Sequence, residues 1–222
     1  MMGTTQPNYD TTRLVEAWRL LIEAAPQAAG SEGYRHDLAD VGREVLASLG
    51  TRYHRQMLDA YRAKDAAALR EFSDRMLGLI SDMDDLVGTR REFLLGVWLQ
   101  DARRWGETKE EKAVCERNAR ELLTLWNSTY NITDYANRQW NGLLGSFYHH
   151  RWEMWAKALS DSLAKGVPIN EAAVRDQICN WELNWTRQTD SFPSNPRGDV
   201  LLLSRKCFGK YASEASHFGT WP

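Results

Sequence analysis

The part of this sequence best suited to binding chemistry is a run of polar side chains followed by aromatic ones. It lies between Leu122 and Leu163, in LLTLWNSTYNITDYANRQWNGLLGSFYHHRWEMWAKALSDSL. A helix can open near Thr133 or Asp134, whose side chains can accept the free N–H groups of a first turn. It can then continue to Lys165, where Gly166 stops it.

At about 100° per residue, this helix carries two neighbouring faces. The apolar face holds Ala136, Trp140, Leu143, Leu144, Phe147, Met154 and Ala158. The adjoining stripe holds Asp134, Asn137, Arg138 and Asn141, then Tyr148, Trp152, Trp155, Leu159 and Leu163. Polar groups that hydrogen bond to hydroxyls, set beside flat aromatic rings, suit a sugar. The alternative is that these polar side chains only satisfy neighbouring chain ends within a helical core.

One charged residue, Arg151, falls on the apolar face of the same helix. A buried guanidinium needs a carboxylate or several carbonyl groups around it. We therefore expect an internal ion pair at Arg151, with a structural role.

Hydrophobic periodicity predicts an all-α fold, a single helical bundle of about eight helices with no sheet. Thr108 with Glu111 has the pattern of a capping box, and Asn170 and Asp199 are placed to begin two further helices. The predicted helices cover 10–25, 34–64, 65–87, 93–105, 110–126, 133–165, 171–189 and a last segment from 199. The acidic residues Asp82, Asp84 and Asp85 lack the glycine and spacing of a calcium loop, so we expect a solvated helix end there.

Composition narrows the classes of function. The chain has 222 residues, with 28 Lys and Arg against 30 Asp and Glu, so no strong field favours nucleic acid or an anionic membrane. No run reaches the roughly 18 apolar residues of a membrane span. We expect residues 1–9 to be disordered or a remnant of expression, and residues 10–222 to form one helical domain.

No self-contained catalytic, metal or cofactor site is evident. The sequence lacks G-x-S-x-G, H-E-x-x-H and phosphate-binding glycine loops. Cys115, Cys179 and Cys207 lie far apart, which predicts buried thiols, and His149 and His150 point about 100° apart on a helix. We therefore assign no catalytic residue, no metal and no cofactor.

Several runs carry a family resemblance. They are WRLLIEAAP at Trp18–Pro26, EGYRHDLADVGREVL at Glu32–Leu46, FLLGVWLQDARRWG at Phe93–Gly106, LLTLW, DYANRQWNGLLGSFYHHRWEMW and PSNPRGD at Pro193–Asp199. In this order, from about Tyr9 to the end, the chain resembles the C-terminal α-helical region of the α-N-acetylglucosaminidases of glycoside hydrolase family 89.

The resemblance implies a partner and a substrate. In that family two catalytic glutamates lie on an upstream (β/α)8 barrel, so the resemblance implies that this chain alone is inactive and packs on such a barrel. It also implies a glycan with terminal α-linked N-acetylglucosamine as substrate, and a secreted, periplasmic or lysosomal location.

The polar stripe and the family-like run DYANRQW coincide, which gives a binding-site hypothesis. The residues expected at the barrel-facing surface, shaping the N-acetylglucosamine site, are Trp126, Asp134, Tyr135, Asn137, Arg138 and Trp140. The alternative is that they brace helix ends and the domain interface.

A second function stays open, a freestanding helical module that binds a glycan or a protein. If the chain is an excised domain, its barrel-facing side should show an aromatic patch larger than a monomer usually exposes, and this patch could support a dimer.

Overall fold

The computed structural model describes residues 10–126 and 133–216, and in these ranges the chain is helical with no strand. The nine α-helices are α1 Thr11–Glu23, α2 Ala25–Ala28, α3 Glu32–Arg62, α4 Ala66–Val87, α5 Leu95–Arg103, α6 Lys109–Leu123, α7 His149–Lys165, α8 Glu171–Thr186 and α9 Val200–Ser216. A 3-10 turn covers Arg91–Phe93 and a π-helical turn covers Leu144–Tyr148. The all-α class is confirmed.

The count exceeds the predicted eight because Pro26 does not simply end the first helix. It lies in the first turn of the short α2, where its missing N–H costs nothing. The predicted disorder of residues 1–9 falls outside the described residues, and the domain bounds 10 and 222 stay a prediction. Across the described ranges, none of the helices combines the length and apolar character that a bilayer crossing requires.

Side-chain caps set most helix starts, as the sequence predicts. The Thr108 hydroxyl accepts from the Glu111 N–H at 3.1 Å, and the Glu111 carboxylate accepts from the Thr108 N–H at 3.0 Å. Asn170 accepts from the Ala173 N–H at 3.1 Å, and Asp199 accepts from the Leu202 N–H at 2.8 Å. The predicted starts of α6, α8 and α9 are confirmed.

Two hydrophobic clusters form the interior. The larger one joins α1, α3, α4, α7 and α9 around fully buried side chains such as Trp18 and Leu46. The smaller one joins α5, α6, α8 and the π-helical turn, with Phe147 against the Trp185 ring at 4.9 Å between centroids. Leu144 belongs to the first cluster and Phe147 to the second, so the π-helical turn lies between the two.

The predicted long helix from Thr133 or Asp134 to Lys165 is wrong in its first part. Helical geometry begins only at Leu143, while its predicted end at Gly166 is confirmed by a left-handed φ of 65°. Asp134 and Asn137 have φ values of 60° and 45°, which a right-handed helix does not allow. The polar stripe is therefore not a helix face but a loop, residues 133–141, which we call the 133–141 loop.

The true start of this helical run is set by a distant carboxylate, that of Asp84 near the end of α4. One Asp84 oxygen accepts from the N–H groups of Gly142 at 2.7 Å and Gly145 at 3.0 Å, and the other accepts from the Asn141 amide at 2.8 Å. The expectation of a solvated acidic helix end is thus wrong for Asp84. Its carboxylate instead accepts hydrogen bonds from free N–H groups at the start of the helical run that leads into α7.

Asp82, one half-turn before Asp84, binds a different helix. Its carboxylate accepts hydrogen bonds from Lys210 Nζ at 2.6 Å, the Tyr211 hydroxyl at 2.7 Å and Lys206 Nζ at 3.2 Å, all on α9. Burial alone would raise the pKa of Asp82, but these hydrogen bonds outweigh it and lower the pKa. The ionised form of Asp82 therefore links α4 to α9, and the expectation of a solvated helix end is wrong for Asp82 as well.

Gly42 lets α3 approach its neighbours closely. A Cβ atom at this buried position would lie 2.9 Å from Leu86 Cδ2 and 3.0 Å from two ring carbons of Trp18. Gly42→Ala should therefore overpack the interior and lower the free energy of unfolding, measured by denaturant titration. Gly209 in α9 is exposed with no atom within 4 Å of its ideal Cβ, so Gly209→Ala is the matched control.

Both substitutions gain the same intrinsic helix propensity, so their difference isolates the overlap. We expect Gly42→Ala to be less stable than Gly209→Ala by about 1 to 3 kcal/mol. Equal stabilities would contradict the close approach of Trp18 to α3.

The Asp82 link predicts a pH dependence. Because the pKa of Asp82 is lowered by folding, its stabilisation is complete above the ordinary Asp pKa, near 4, and is lost as the pH falls through the lowered pKa. Asp82→Asn should lower the free energy of unfolding by about 1 to 3 kcal/mol at pH 7. Denaturant titrations at about pH 7, 5 and 3 should show the difference shrinking on acidification. A difference that grows at low pH would contradict the assignment.

Candidate functional site

The candidate binding residues lie just after α6 and in the 133–141 loop. The N–H of Trp126 donates to the Glu121 carbonyl at 2.7 Å, and Trp126 has a left-handed φ of 58°. The N–H of Asp134 donates to the Thr124 carbonyl, also at 2.7 Å. These two backbone bonds hold the beginning of the loop against the end of α6.

Trp126 and Tyr135 form an exposed aromatic pair. Their ring centroids lie 5.0 Å apart with an interplanar angle of 53°. Trp126 is 41% exposed and Tyr135 is 64% exposed. Large rings that are ordered by each other and still face solvent are suited to pack on a ligand or on another protein surface.

Trp140 lies between a cation and a second indole. The Arg138 guanidinium carbon is 5.7 Å from the centre of the Trp140 ring, and the Trp98 ring meets Trp140 edge to face with centroids 6.0 Å apart. Trp98 is fixed because its indole N–H donates to the Ala119 carbonyl at 3.0 Å. We call Trp98, Trp126, Tyr135, Arg138 and Trp140 the aromatic surface.

Asn137 and Arg138 are exposed at the turn of the loop. The Asn137 N–H donates to the Asp134 carbonyl at 3.0 Å, which fixes the turn. The neighbouring Gln139 side chain accepts a hydrogen bond from Arg43 on α3. The amide and guanidinium groups at the turn are therefore held on a braced backbone.

Asp134 differs from the other candidates because its carboxylate is occupied. Arg151 donates to both of its oxygens, at 2.6 and 3.2 Å, and the Tyr148 hydroxyl donates to one of them at 3.2 Å. Arg151 also donates to the buried Glu182 on α8 at 2.5 Å. The predicted internal ion pair of Arg151 is confirmed.

Burial and charge act against each other in this cluster. Burial raises the pKa of Glu182 above its ordinary value, although the Arg151 charge opposes the rise. Burial would lower the pKa of Arg151, but the carboxylates of Asp134 and Glu182 raise it instead. Arg151 is therefore firmly charged, and its guanidinium also lies 4.7 Å from the Phe147 ring centre.

Two residues beside the candidates were not assigned to the site from the sequence. Trp98 lies in the predicted helix 93–105, and nothing in its spacing links it to Trp140, which is distant in sequence. Leu122, near the end of α6, is 44% exposed. Its four-residue spacing from Trp126 suggests one helix face, but α6 ends at Leu123 and Trp126 has a left-handed φ, so the spacing does not show which side Trp126 occupies.

The chemistry offered by this surface is recognition through hydrogen bonds and ring faces. Among residues 10–126 and 133–216, no group of three or more His, Cys, Asp or Glu side chains is arranged to hold a metal ion. Cavities of about 370 Å³ and 360 Å³ lie elsewhere, one between α7 and α8 and the other among α3, α4 and α9. Neither of these two cavities is lined by a candidate binding residue.

Comparison with known proteins gives consistent matches. The family model of the Alpha-N-acetylglucosaminidase (NAGLU) C-terminal domain matches residues 2–210. The human alpha-N-acetylglucosaminidase is 36% identical over 204 residues, which cover 91% of this chain and 28% of that relative.

Solved structures of a family 89 glycoside hydrolase from Clostridium perfringens are also similar. The complex with PUGNAc has a TM-score of 0.85 at 27% identity, over 95% of this chain and 25% of that one. The complex with 2-acetamido-1,2-dideoxynojirmycin has a TM-score of 0.82 at 27% identity, over 93% of this chain and 24% of that one. A substituted form of that enzyme is bound to its substrate GlcNAc-alpha-1,4-galactose, with a TM-score of 0.85.

This chain thus spans about a quarter of the length of the proteins it matches. Since the family model covers nearly all of the sequence and the fold agrees with that of family 89 enzymes, the chain belongs to the family of alpha-N-acetylglucosaminidase C-terminal domains.

Proposed function

We propose that this domain works as part of an α-N-acetylglucosaminidase, an enzyme that hydrolyses terminal α-linked N-acetylglucosamine from glycans. In this proposal a (β/α)8 barrel carrying two glutamates precedes the domain in the same polypeptide. The domain packs on the barrel and helps to shape the mouth of the substrate pocket. Family membership and the quarter-length match to the relatives support this arrangement.

The observation that carries the binding role is the aromatic surface beside exposed polar groups. Trp126 and Tyr135 offer ring faces, which suit the apolar C–H side of a sugar. Asn137 and Arg138 offer amide and guanidinium donors on the braced turn, which suit hydroxyl and acetamido oxygens. Both chemistries come from one short segment of chain.

A direct test compares three preparations with a chromogenic α-N-acetylglucosaminide. These are the chain alone, the chain mixed with a separately expressed family 89 catalytic region, and a joined enzyme in which that region precedes the chain in one polypeptide. We expect no hydrolysis by the chain alone and hydrolysis by the joined enzyme. Hydrolysis by the chain alone would contradict the proposal, because its catalytic carboxylates are placed upstream.

The binding role predicts specific kinetic effects of Asn137→Ala and Arg138→Ala in the joined enzyme. Losing a hydrogen bond to the sugar that forms in both the bound and transition states should raise KM, by about tenfold for a loss near 1.4 kcal/mol, with kcat little changed. Steady-state kinetics, normalised to folded protein, measures this effect.

Arg62→Ala is the matched control, because Arg62 is exposed and pairs only locally with Asp59. It lies 19 residues after Arg43, the α3 residue that contacts the loop, and so about 28 Å further along the helix. If Asn137→Ala and Arg138→Ala lower the melting temperature but leave KM at the control value, the two residues only brace the structure.

A further inference from the structure

Three non-glycine residues, one just after α6 and two in the 133–141 loop, have a left-handed backbone conformation. Trp126, Asp134 and Asn137 all have positive φ, with values of 58°, 60° and 45°. The left-handed conformation costs Trp126 about 1 kcal/mol or more, whereas Asp and Asn are the non-glycine residues that adopt it most readily. Besides these three, Lys64 is the one non-glycine residue with positive φ in the ranges 10–126 and 133–216.

The Arg151 side chain, on α7, holds the 133–141 loop through Asp134. Its guanidinium forms a fork to Asp134, with Nη1 2.6 Å from one oxygen and Nη2 3.2 Å from the other. Its Nε donates to Glu182 on α8, so the fork cannot rotate freely. The rings of Phe147 and Tyr148 lie 4.7 and 5.2 Å from its guanidinium carbon.

Asp134 transmits this anchoring to the backbone. Its N–H donates to Thr124 at 2.7 Å, and its carbonyl accepts the Asn137 N–H at 3.0 Å. A shift of the Asp134 side chain would therefore move the turn that carries Tyr135, Asn137 and Arg138. Because Arg151 and Tyr148 engage both carboxylate oxygens, Asp134 is better placed to support the turn than to contact a sugar.

We propose that Arg151 and Asp134 are positioning residues for sugar recognition, which fix the left-handed turn so that Asn137 and Arg138 face the N-acetylglucosamine site. This inference rests on the proposed function and deepens it. Neither Arg151 nor Asp134 contacts the sugar. They act through the conformation of residues 134–138, a left-handed turn that a half-buried, bidentate ion pair stabilises.

The test uses the joined enzyme with Arg151→Gln, Arg151→Lys and Asp134→Asn. Arg151→Gln and Asp134→Asn should each raise KM for the chromogenic α-N-acetylglucosaminide by about tenfold, with kcat per folded enzyme within about twofold. Arg151→Lys keeps the charge but not the fork, so its KM should lie between those of the wild type and Arg151→Gln. The double substitution of Arg151→Gln with Asp134→Asn should be no worse than the more affected single one, because both act through one contact.

Asp82→Asn is the matched control. It removes another carboxylate that accepts several charged hydrogen bonds between helices, but its partners lie on α9 and not in the loop. It should lower the melting temperature and leave KM unchanged. Amide hydrogen exchange adds a readout in the same proteins, since the Asp134 and Asn137 amides should exchange faster in Arg151→Lys and Asp134→Asn but not in Asp82→Asn.

The outcomes separate the two proposals. One outcome is that Arg151→Lys and Asp134→Asn lower the melting temperature, as Asp82→Asn does, but leave KM unchanged. If Asn137→Ala and Arg138→Ala raise KM in the same experiment, the positioning role is overturned and the binding role stands. If none of these substitutions changes KM, both proposals fail. If Arg151→Gln does not fold, the KM and exchange rates of the volume-conserving Asp134→Asn decide the question.

Discussion

The arrangement of the 133–141 loop depends on the hydrogen bonds that the Asp84 carboxylate accepts. This carboxylate lies near the end of α4 and accepts hydrogen bonds from the N–H groups of Gly142 and Gly145, which begin the helical run into α7. Burial raises the pKa of Asp84, and the hydrogen bonds from Gly142 and Gly145 oppose that rise. A half-buried carboxylate with several such donors is held firmly in one place. The start of the helix is fixed accordingly, and the residues before it are left to form a loop.

Small residues make this contact possible. Gly142 has a φ of 85°, and a Cβ there would lie 2.8 Å from the Phe192 ring. At Gly145 a Cβ would lie 3.4 Å from the Asp84 carboxylate. Asn141 completes the junction, since its N–H donates to the Phe93 carbonyl at 2.8 Å and its carbonyl accepts from the Leu95 N–H at 3.1 Å. The 133–141 loop therefore ends in a closely packed junction, as it begins in the ion pair of Asp134 with Arg151.

The sequence was sufficient for elements whose causes are local. Thr108 with Glu111, Asn170 and Asp199 satisfy N–H groups within their own helices, so their spacing identifies the starts of α6, α8 and α9. The ion pair of Arg151 was also predictable, because a guanidinium on an apolar helix face needs a partner wherever that partner lies. Its partners, Asp134 and Glu182, could not be identified, since neither is marked by spacing relative to Arg151.

The start of the central helix could not be predicted for a related reason. Thr133 and Asp134 have good capping side chains, but Asp134 binds Arg151, and the N–H groups at the real start go to Asp84, a residue 58 positions before Gly142. The following turn is π-helical, with the His149 N–H bound to the Leu144 carbonyl five residues back. A constant 100° per residue does not apply across this turn. The residues of the predicted polar stripe therefore do not form one face of a helix, although several of them lie together.

The same geometry explains how an exposed surface can be ordered. Trp98 is 37% exposed, yet its indole N–H is bound to Ala119 and its ring contacts Trp140. The 133–141 loop is likewise exposed at Tyr135 and Asn137, while Asp134 and Asn141, near its two ends, are hydrogen bonded to the half-buried Arg151 and Asp84. Rings and donors that are already fixed lose little conformational entropy when a ligand or a neighbouring domain covers them. The half-buried charges of Asp84 and Arg151 therefore order the exposed groups of the loop, because they reduce the number of conformations that those groups can adopt.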